Sequence, residues 1–566
     1  MGQHNLSAAS RPVMTDFWLA AWAVTLAIGW LLPNHYLPWS AFHFDAWSAV
    51  VLSLAAAAVL LRARGPMPCH PAAVLVGAVA LVPGLQQLAG MMVFSGNTWV
   101  CTAYLLGLLL AVLTGAKWES SSPGQLADGL FLAIVMASII SVGLQLHQWL
   151  GFDSFEVWIM PDNFSRPFAN FGQPNQLATF LLWGQLALAW GFVRGKISGA
   201  TAALGSVYLV FGLAMTGSRT AWVGAALLLA GVWIWKRHWA RPVPWLVTGL
   251  VALFALCVGS LGSLSEWLLI GVAPDLDNPA RLATETRPMI WRLFAQAVLH
   301  QPWFGYGWNQ VTLAHLQVAL DRPPVGSLFA HSHNLFLDLF VWCGIPIAVV
   351  VSLSLVAWLW ARARAVDNPQ DAILVLLLVV VANHAMLELP LHYAYFLFPV
   401  GMIAGALGVR QSVPVWFHVG RKLVGVLWLI AVVLLALIVR DYSRIEPGFQ
   451  QLRYEWARIK TTPSAPPEVL ILNQWREFIR FARFEPTAGM SEPELAWMRG
   501  VVSIHPGAEP FQKMATAAAL NGKPEEALWW LLRLERMMPK GQVAIVKRAW
   551  GVMSAQDPRI AAVHWP

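Results

Sequence analysis

The chain is dominated by apolar runs. About thirteen of them, each roughly 17–25 residues long, fall near 15–33, 45–62, 71–89, 97–115, 127–149, 176–193, 199–216, 220–236, 243–262, 335–360, 371–388, 393–409 and 423–440. That is the length a helix needs to cross the hydrocarbon core of a bilayer. Backbone exposed to lipid must satisfy its own N–H and C=O groups, so such runs fold as helices. The expected fold is therefore all-α, a polytopic membrane helix bundle. Only 12% of the residues are charged, against about 25% in a globular domain. The 32 tryptophans suit two membrane–water interfaces. The first run, near Phe17 to Leu32, lacks a small-residue cleavage site, so no cleavable leader is expected.

Orientation is read from the connections. With the N-terminus inside, the inner loops hold Arg62, Arg64, Lys117, Arg194, Lys196, Lys236, Arg237, Arg241, Arg362, Arg364, Arg410, Arg421 and Lys422. The outer loops near 34–44, 90–96 and 389–392 hold no lysine or arginine. The net charge of +8 is thus explained by insertion bias rather than by a nucleic-acid partner. An odd number of crossings puts residues 441–566 outside, in the periplasm of a Gram-negative inner membrane. Four blocks follow: spans over 1–262, an outer loop over 263–334, further spans over 335–440 and a small outer helical domain over 441–566. Internal duplication and charges deep in several spans, the marks of a transporter, are not apparent.

Insertion bias does not explain the arginines outside. Arg219 sits in MTGSRTAW, and Arg287 and Arg292 sit in ETRPMIWR. Arg281 to His300 has helical spacing, with Ile290, Leu293, Phe294 and Ala297 as its apolar stripe. It leads into HQPWFGYGWNQ, where Pro302, Gly305 and Gly307 force a turn. Gln173, Asn175 and Gln176 open a span; they either cap it or hydrogen-bond sugar hydroxyls or a phosphate. NHAMLELPLHYAYF places Glu388 and Tyr393 at an outer span end, where a carboxylate is either interfacial or functional. HSHNLFLDLFVWCGIP puts His331, His333 and Asn334 at the mouth of a span, a costly place for polar groups. The four cysteines lie in or beside apolar runs, without disulfide or zinc spacing.

From Asp441 onward, charge rises and amphipathic helices appear. Ser491 and Glu494 form a capping-box pattern. Residues 511–539 read as a helical hairpin turning at Asn521–Gly522, like one tetratricopeptide unit. Such a domain either recruits a protein or braces the long outer loop.

Taken together, TGSRTAW, ETRPMIWRLFAQAVLHQPWFGYGWNQ and HSHNLFLDLFVWCGIP resemble the O-antigen ligase and Wzy-type superfamily of membrane glycosyltransferases. Within it, RPFANFGQPNQLAT, ELPLHYAYFL and the C-terminal helical domain resemble the bacterial O-linking protein oligosaccharyltransferases of the PglL type. The resemblance implies en bloc transfer of a preassembled glycan from undecaprenyl diphosphate to a serine or threonine hydroxyl of a periplasmic protein such as a pilin. The alternative within the superfamily is ligation of O-antigen to lipid A–core. A diphosphate donor needs fixed cations; Arg219 and Arg287 are the candidates and Arg292 the reserve. No outer aspartate cluster suits magnesium, so the expected transferase is independent of metal and of any cofactor. His333, directly before Asn334, either takes the hydroxyl proton or donates to the diphosphate. His331 supports it. Gln173, Asn175, Gln176, Arg292, His331, Asn334, Glu388 and Tyr393 are the expected substrate-binding residues.

Overall fold

The computed structural model describes residues 12–152, 154–155, 157–161, 166–270, 287–321, 326–459 and 465–566. Arg281, Arg322, Pro323 and Pro324 lie outside the described residues. Each apolar run of the sequence falls on helix. In order these are α1 (Asp16–Leu31), α2 (Phe42–Arg62), α3 and α4 (Pro71–Ala80 and Val82–Leu88), α5 (Ser95–Ser121), α6 (Gln125–Trp149), α7 (Pro174–Val193), α8 (Gly199–Met215), α9 (Arg219–Ile234) and α10 (Pro242–Trp267). After the outer loop come α13 (Leu335–Arg364), α14 (Pro369–Ala385), α15 (Ala394–Arg410) and α16 (Arg421–Trp456). Eight spans, counting α3 and α4 as one, are long and apolar enough to cross a membrane. The other five, α1, α8, α9, α14 and α15, are shorter apolar helices of 10–17 residues.

The loop helices are α11 (Arg287–His300) and α12 (Val311–Val318). The C-terminal helices are α17 (Asn473–Arg483), α18 (Glu492–Ile504), α19 (Ala508–Leu520), α20 (Pro524–Met537) and α21 (Lys540–Gln556). The sequence contains no strand signal, yet Met67–Cys69 pairs antiparallel with Phe417–Val419. Two short loops lie side by side there, and their backbone groups satisfy each other.

The chain divides into two compact units, with boundaries inside α5, α13 and α16. The first comprises 1–80, 104–285 and 353–435. In it α6 packs on α1, α7 and α8, while α7 packs on α8, α9 and α14. Two of its arginines on the expected inner side pair with carboxylates. Arg194 Nε and Nη2 donate to Asp128 at 3.0 and 2.9 Å. Arg410 joins Asp371 at 2.5 Å and Glu119 at 3.0 Å.

The second unit comprises 81–103, 286–352 and 436–566. Its core unites loop and C-terminal residues: Phe94, Leu316 and Ala319 are buried together with Phe481, Leu495, Met498, Trp530 and Leu534. The buried Arg533 stacks 3.3 Å from the Trp529 ring centroid and donates from Nε to the Leu316 carbonyl at 2.8 Å. Asn473 Oδ1 accepts from Gly96 N at 2.9 Å. The link between α16 and α17 is fixed by Asp441, whose Oδ2 accepts from the backbone N–H groups of Leu470, Ile471 and Leu472 at 2.8, 2.5 and 3.1 Å. The expected capping box is present, with Glu494 Oε2 accepting from Ser491 N at 2.8 Å. The hairpin of α19 and α20 also forms, turning at Asn521–Gly522.

Candidate active site

The candidate residues divide between the two units. The second unit holds Arg287, Arg292, His331, His333 and Asn334. Its framework is a contact between two turns that the sequence presents as separate motifs. α13 is not continuous: Gly344 has φ +73°, so the helix breaks at the Gly-Ile-Pro step. The break frees carbonyls, and the Pro302–Gly307 turn takes them. Tyr306 N donates to Val341 O at 2.8 Å, Gly307 N to Trp342 O at 3.2 Å, and Ile345 N to Pro302 O at 2.7 Å. A Cβ on Gly344 would meet Trp303 C at 2.4 Å, and one on Gly305, itself at φ +69°, would meet Val341 O at 2.5 Å. Gln86 completes the joint, donating to Trp342 O and accepting from Trp308 N, both at 2.8 Å. Gly344→Ala should therefore destabilise this unit by about 2 kcal/mol or more, through clash and left-handed strain. A lowered thermal midpoint in detergent is the expected result; an unchanged midpoint would mean that the joint is not close-packed.

At the other end of this helical stretch, Asn334 Oδ1 accepts from Leu337 N at 3.1 Å. Asn334 is thus the helix cap, and its side-chain oxygen is committed to that bond. His333 has φ +57°, a left-handed backbone that costs a non-glycine residue about 1–2 kcal/mol. Its neighbours pin it: Ser332 N donates to Asp338 Oδ1 at 2.8 Å, and Ser332 Oγ donates to Asn334 O at 3.0 Å. The rings of His331 and His333 meet edge to face, with centroids 4.2 Å apart. Phe329 contacts His333 on one side and His315 on the other. Burial pushes the His315 imidazole down to about 4, which makes it a neutral packing group that accepts from Phe329 N at 3.4 Å. Arg287 opens α11 and is half-buried, while Arg292 is exposed. The buried stripe of this helix is Ile290, Leu293, Phe294, Ala297 and Val298, as the spacing implies.

The first unit holds Arg219, Gln173, Asn175, Gln176, Glu388 and Tyr393. Asn175 links three segments distant in sequence. Its Oδ1 accepts from Ser218 Oγ at 2.7 Å, and its Nδ2 donates to Glu388 Oε1 at 3.4 Å. Glu388 is only 8% exposed. Ser218 caps α9 through a bond from Ala221 N. Arg219 follows at the first helical position and is exposed. A cation there opposes the helix dipole by about 0.3–1 kcal/mol, so helix stability does not account for it. Arg166 Nε donates to Thr216 O at 2.8 Å and fixes the approach to this turn. Gln176 is buried and accepts from the Tyr395 hydroxyl. Tyr393 bonds to the same amide. Gln173 makes no side-chain cap bond, although it stands at the N-cap of α7. Asp45 is a participant that the sequence does not single out. It accepts from Ala394 N at 2.7 Å and from the Tyr104 hydroxyl at 2.5 Å, anchoring the segment that carries Tyr393. Asp338 is another. An acid in the first turn of a helix is ordinary in a sequence, and only the bond back to Ser332 distinguishes this one. No cluster of three or more His, Cys, Asp or Glu with metal-binding geometry occurs among the described residues.

Comparison with known proteins adds to this geometry. Residues 204–351 match the O-antigen ligase family model, and 167–190 match that of protein glycosylation ligases. Residues 372–551 match the C-terminal model of virulence factor membrane-bound polymerases. The chain is 28% identical over 550 residues to the general O-oligosaccharyltransferase of Acinetobacter baylyi (strain ATCC 33305 / BD413 / ADP1), covering 94% of each chain. It is 27% identical over 355 residues to the ComP-specific O-oligosaccharyltransferase of the same organism, covering 61% of this chain and 64% of that protein. These matches take in both groups of candidate residues and the C-terminal helices, and the chain is similar along most of its length to O-oligosaccharyltransferases that share the O-antigen ligase and protein glycosylation ligase models.

Proposed function

We propose that the chain is a protein O-oligosaccharyltransferase. It moves a preassembled glycan en bloc from undecaprenyl diphosphate to a serine or threonine hydroxyl of an exported protein, with a pilin as the model acceptor. The observation that carries this reading is the likeness to a general O-oligosaccharyltransferase along 94% of both chains, C-terminal helices included. The protein sits in the bacterial inner membrane with thirteen crossings. Its outer motifs and C-terminal helices face the periplasm.

In this reading the acceptor oxygen attacks the anomeric carbon of the first sugar. The bond from that carbon to the diphosphate oxygen breaks, and the lipid diphosphate leaves with the electron pair. His333 takes the hydroxyl proton. Arg219 and Arg287 hold the diphosphate and balance its charge as it departs. Gln173, Asn175, Gln176, Glu388 and Tyr393 bind substrate, Arg292 is the reserve cation for the diphosphate, and His331 and Asn334 support the histidine turn. Lysine keeps the charge but loses the bidentate fork. Arg219→Lys and Arg287→Lys should each lower transfer at least about tenfold, whereas Arg322→Lys should be mild. Equal tolerance at all three would make the arginines structural.

The test of the whole reading is reconstitution in vesicles with a polyprenyl-diphosphate-linked oligosaccharide and a serine-containing pilin-like protein. The acceptor should gain the mass of the intact glycan. Transfer to lipid A–core without transfer to protein would overturn it in favour of O-antigen ligation.

A further inference from the structure

The bond between Ser332 and Asp338 spans the residue that the proposed mechanism depends on. Asp338 is fully buried, in the first turn of α13 and therefore at the mouth of an apolar helix. A buried carboxylate is costly in such a place unless hydrogen-bonded. Helix capping does not require it, because Asn334 already caps this terminus through its side chain. Asp338 Oδ1 instead reaches back to the Ser332 N–H at 2.8 Å, and Ser332 Oγ bonds forward to Asn334 O at 3.0 Å. Asp338 N in turn donates to Asn334 O at 2.9 Å. The side-chain bond of Asp338 thus closes on the residue immediately before His333, while its backbone N–H makes the ordinary helical bond to the residue immediately after it. Between them His333 adopts its left-handed backbone, a conformation that persists only where the surroundings over-determine it.

We infer that Asp338 is the positioning residue for His333, holding the Ser332–Asn334 turn so that the imidazole is presented in one orientation. This rests on the proposed role of His333. The agent is the acceptor oxygen at this position, not the negative charge. Asparagine keeps an acceptor oxygen in place, whereas glutamate keeps the charge and displaces the oxygen by one methylene.

The test compares Asp338→Asn, Asp338→Glu and Asp338→Ala in the full-length protein. Transfer to a short serine-containing peptide gives kcat and KM, and thermal unfolding in detergent reports folding. Misplacing a reacting group by an ångström costs up to about a hundredfold. The Ala and Glu variants should lose about ten- to a hundredfold in kcat with KM changed by less than about twofold, and Asn should stay within about threefold of wild type. The rate of His333 carbethoxylation by diethyl pyrocarbonate, followed by peptide mass spectrometry, should change in Ala and Glu and not in Asn. That readout needs no glycan transfer. An inactive wild type would count against the proposed function alone, with Asp338 still judged by the modification rate. Wild-type kcat and modification rate in Asp338→Ala would overturn the inference. So would full activity in Glu with loss in Asn, which would assign the role to charge. Should the Ala variant fail to fold, the Asn and Glu pair decides between the same outcomes.

Discussion

His333→Ala should lower glycan transfer by about a hundredfold to ten-thousandfold, the range over which a positioned general base acts. The protein should still insert, and its thermal midpoint should not fall. Relief of the left-handed backbone does not come with this change, because alanine also carries a Cβ. What is lost is the imidazole, the proposed acceptor of the hydroxyl proton. His315, two contacts away through Phe329, gives the comparison. It is buried and held neutral, so His315→Ala should act on stability rather than on chemistry. The measurement is transfer to a serine-containing peptide by well-folded His333→Ala protein in vesicles. Normal transfer would remove His333 from the chemistry altogether.

The helices were legible because lipid leaves a chain so little choice. An apolar run of sufficient length has to be helical, and each run falls on helix. Interruptions were harder to see. The Gly-Ile-Pro step marks a break, but nothing in the sequence says that the freed carbonyls of Val341 and Trp342 are taken by Tyr306 and Gly307. Each of those motifs reads as a turn by itself; their fit becomes visible only when a Cβ on Gly344 is seen to strike Trp303. The short strand pair from Met67 and Phe417 was illegible for a similar reason, since three residues carry no periodicity.

The site shows the same division. The residue types announce themselves: histidines at a span mouth, arginines against the insertion bias, amides opening α7. Their partners do not. Asn175 meets Ser218 and Glu388 across 43 and 213 positions of sequence, a separation that no local pattern encodes. Asn334 caps its helix through Oδ1, a bond its motif does not announce, whereas Gln173 stands at a cap position and makes no side-chain cap bond. Asp45 and Asp338 carry no signal in the sequence, because a carboxylate in the first turn of a helix is what the helix dipole favours anyway.

Removal of residues 450–566 should abolish transfer to a folded acceptor protein and to a short serine-containing peptide alike. An amphipathic domain shows in its sequence that one face is covered, but not what covers it; the sequence reading leans to recruitment of an acceptor, with bracing of the loop as the alternative. The second unit favours bracing. Phe94, Leu316 and Ala319 lie in one core with Phe481, Leu495, Trp530 and Leu534, and Arg533 donates to the Leu316 carbonyl. Leu316 belongs to α12, which also carries His315, the ring on which Phe329 rests beside His333. Stripping the C-terminal helices would expose at least two large apolar side chains on the loop side, at about 1.5–3 kcal/mol each. That is a large fraction of the roughly 5–15 kcal/mol by which a domain is stable. The loop would lose its shape, and every acceptor would suffer with it. A gentler version keeps the bundle: Arg533→Met preserves apolar volume and removes the bond to Leu316 O. Its loss should again be the same factor for both acceptors, accompanied by a lower thermal midpoint. If truncation or Arg533→Met spares the peptide and silences only the folded protein, the C-terminal helices recruit the acceptor, and the shared core serves to hold that recruiting surface in place.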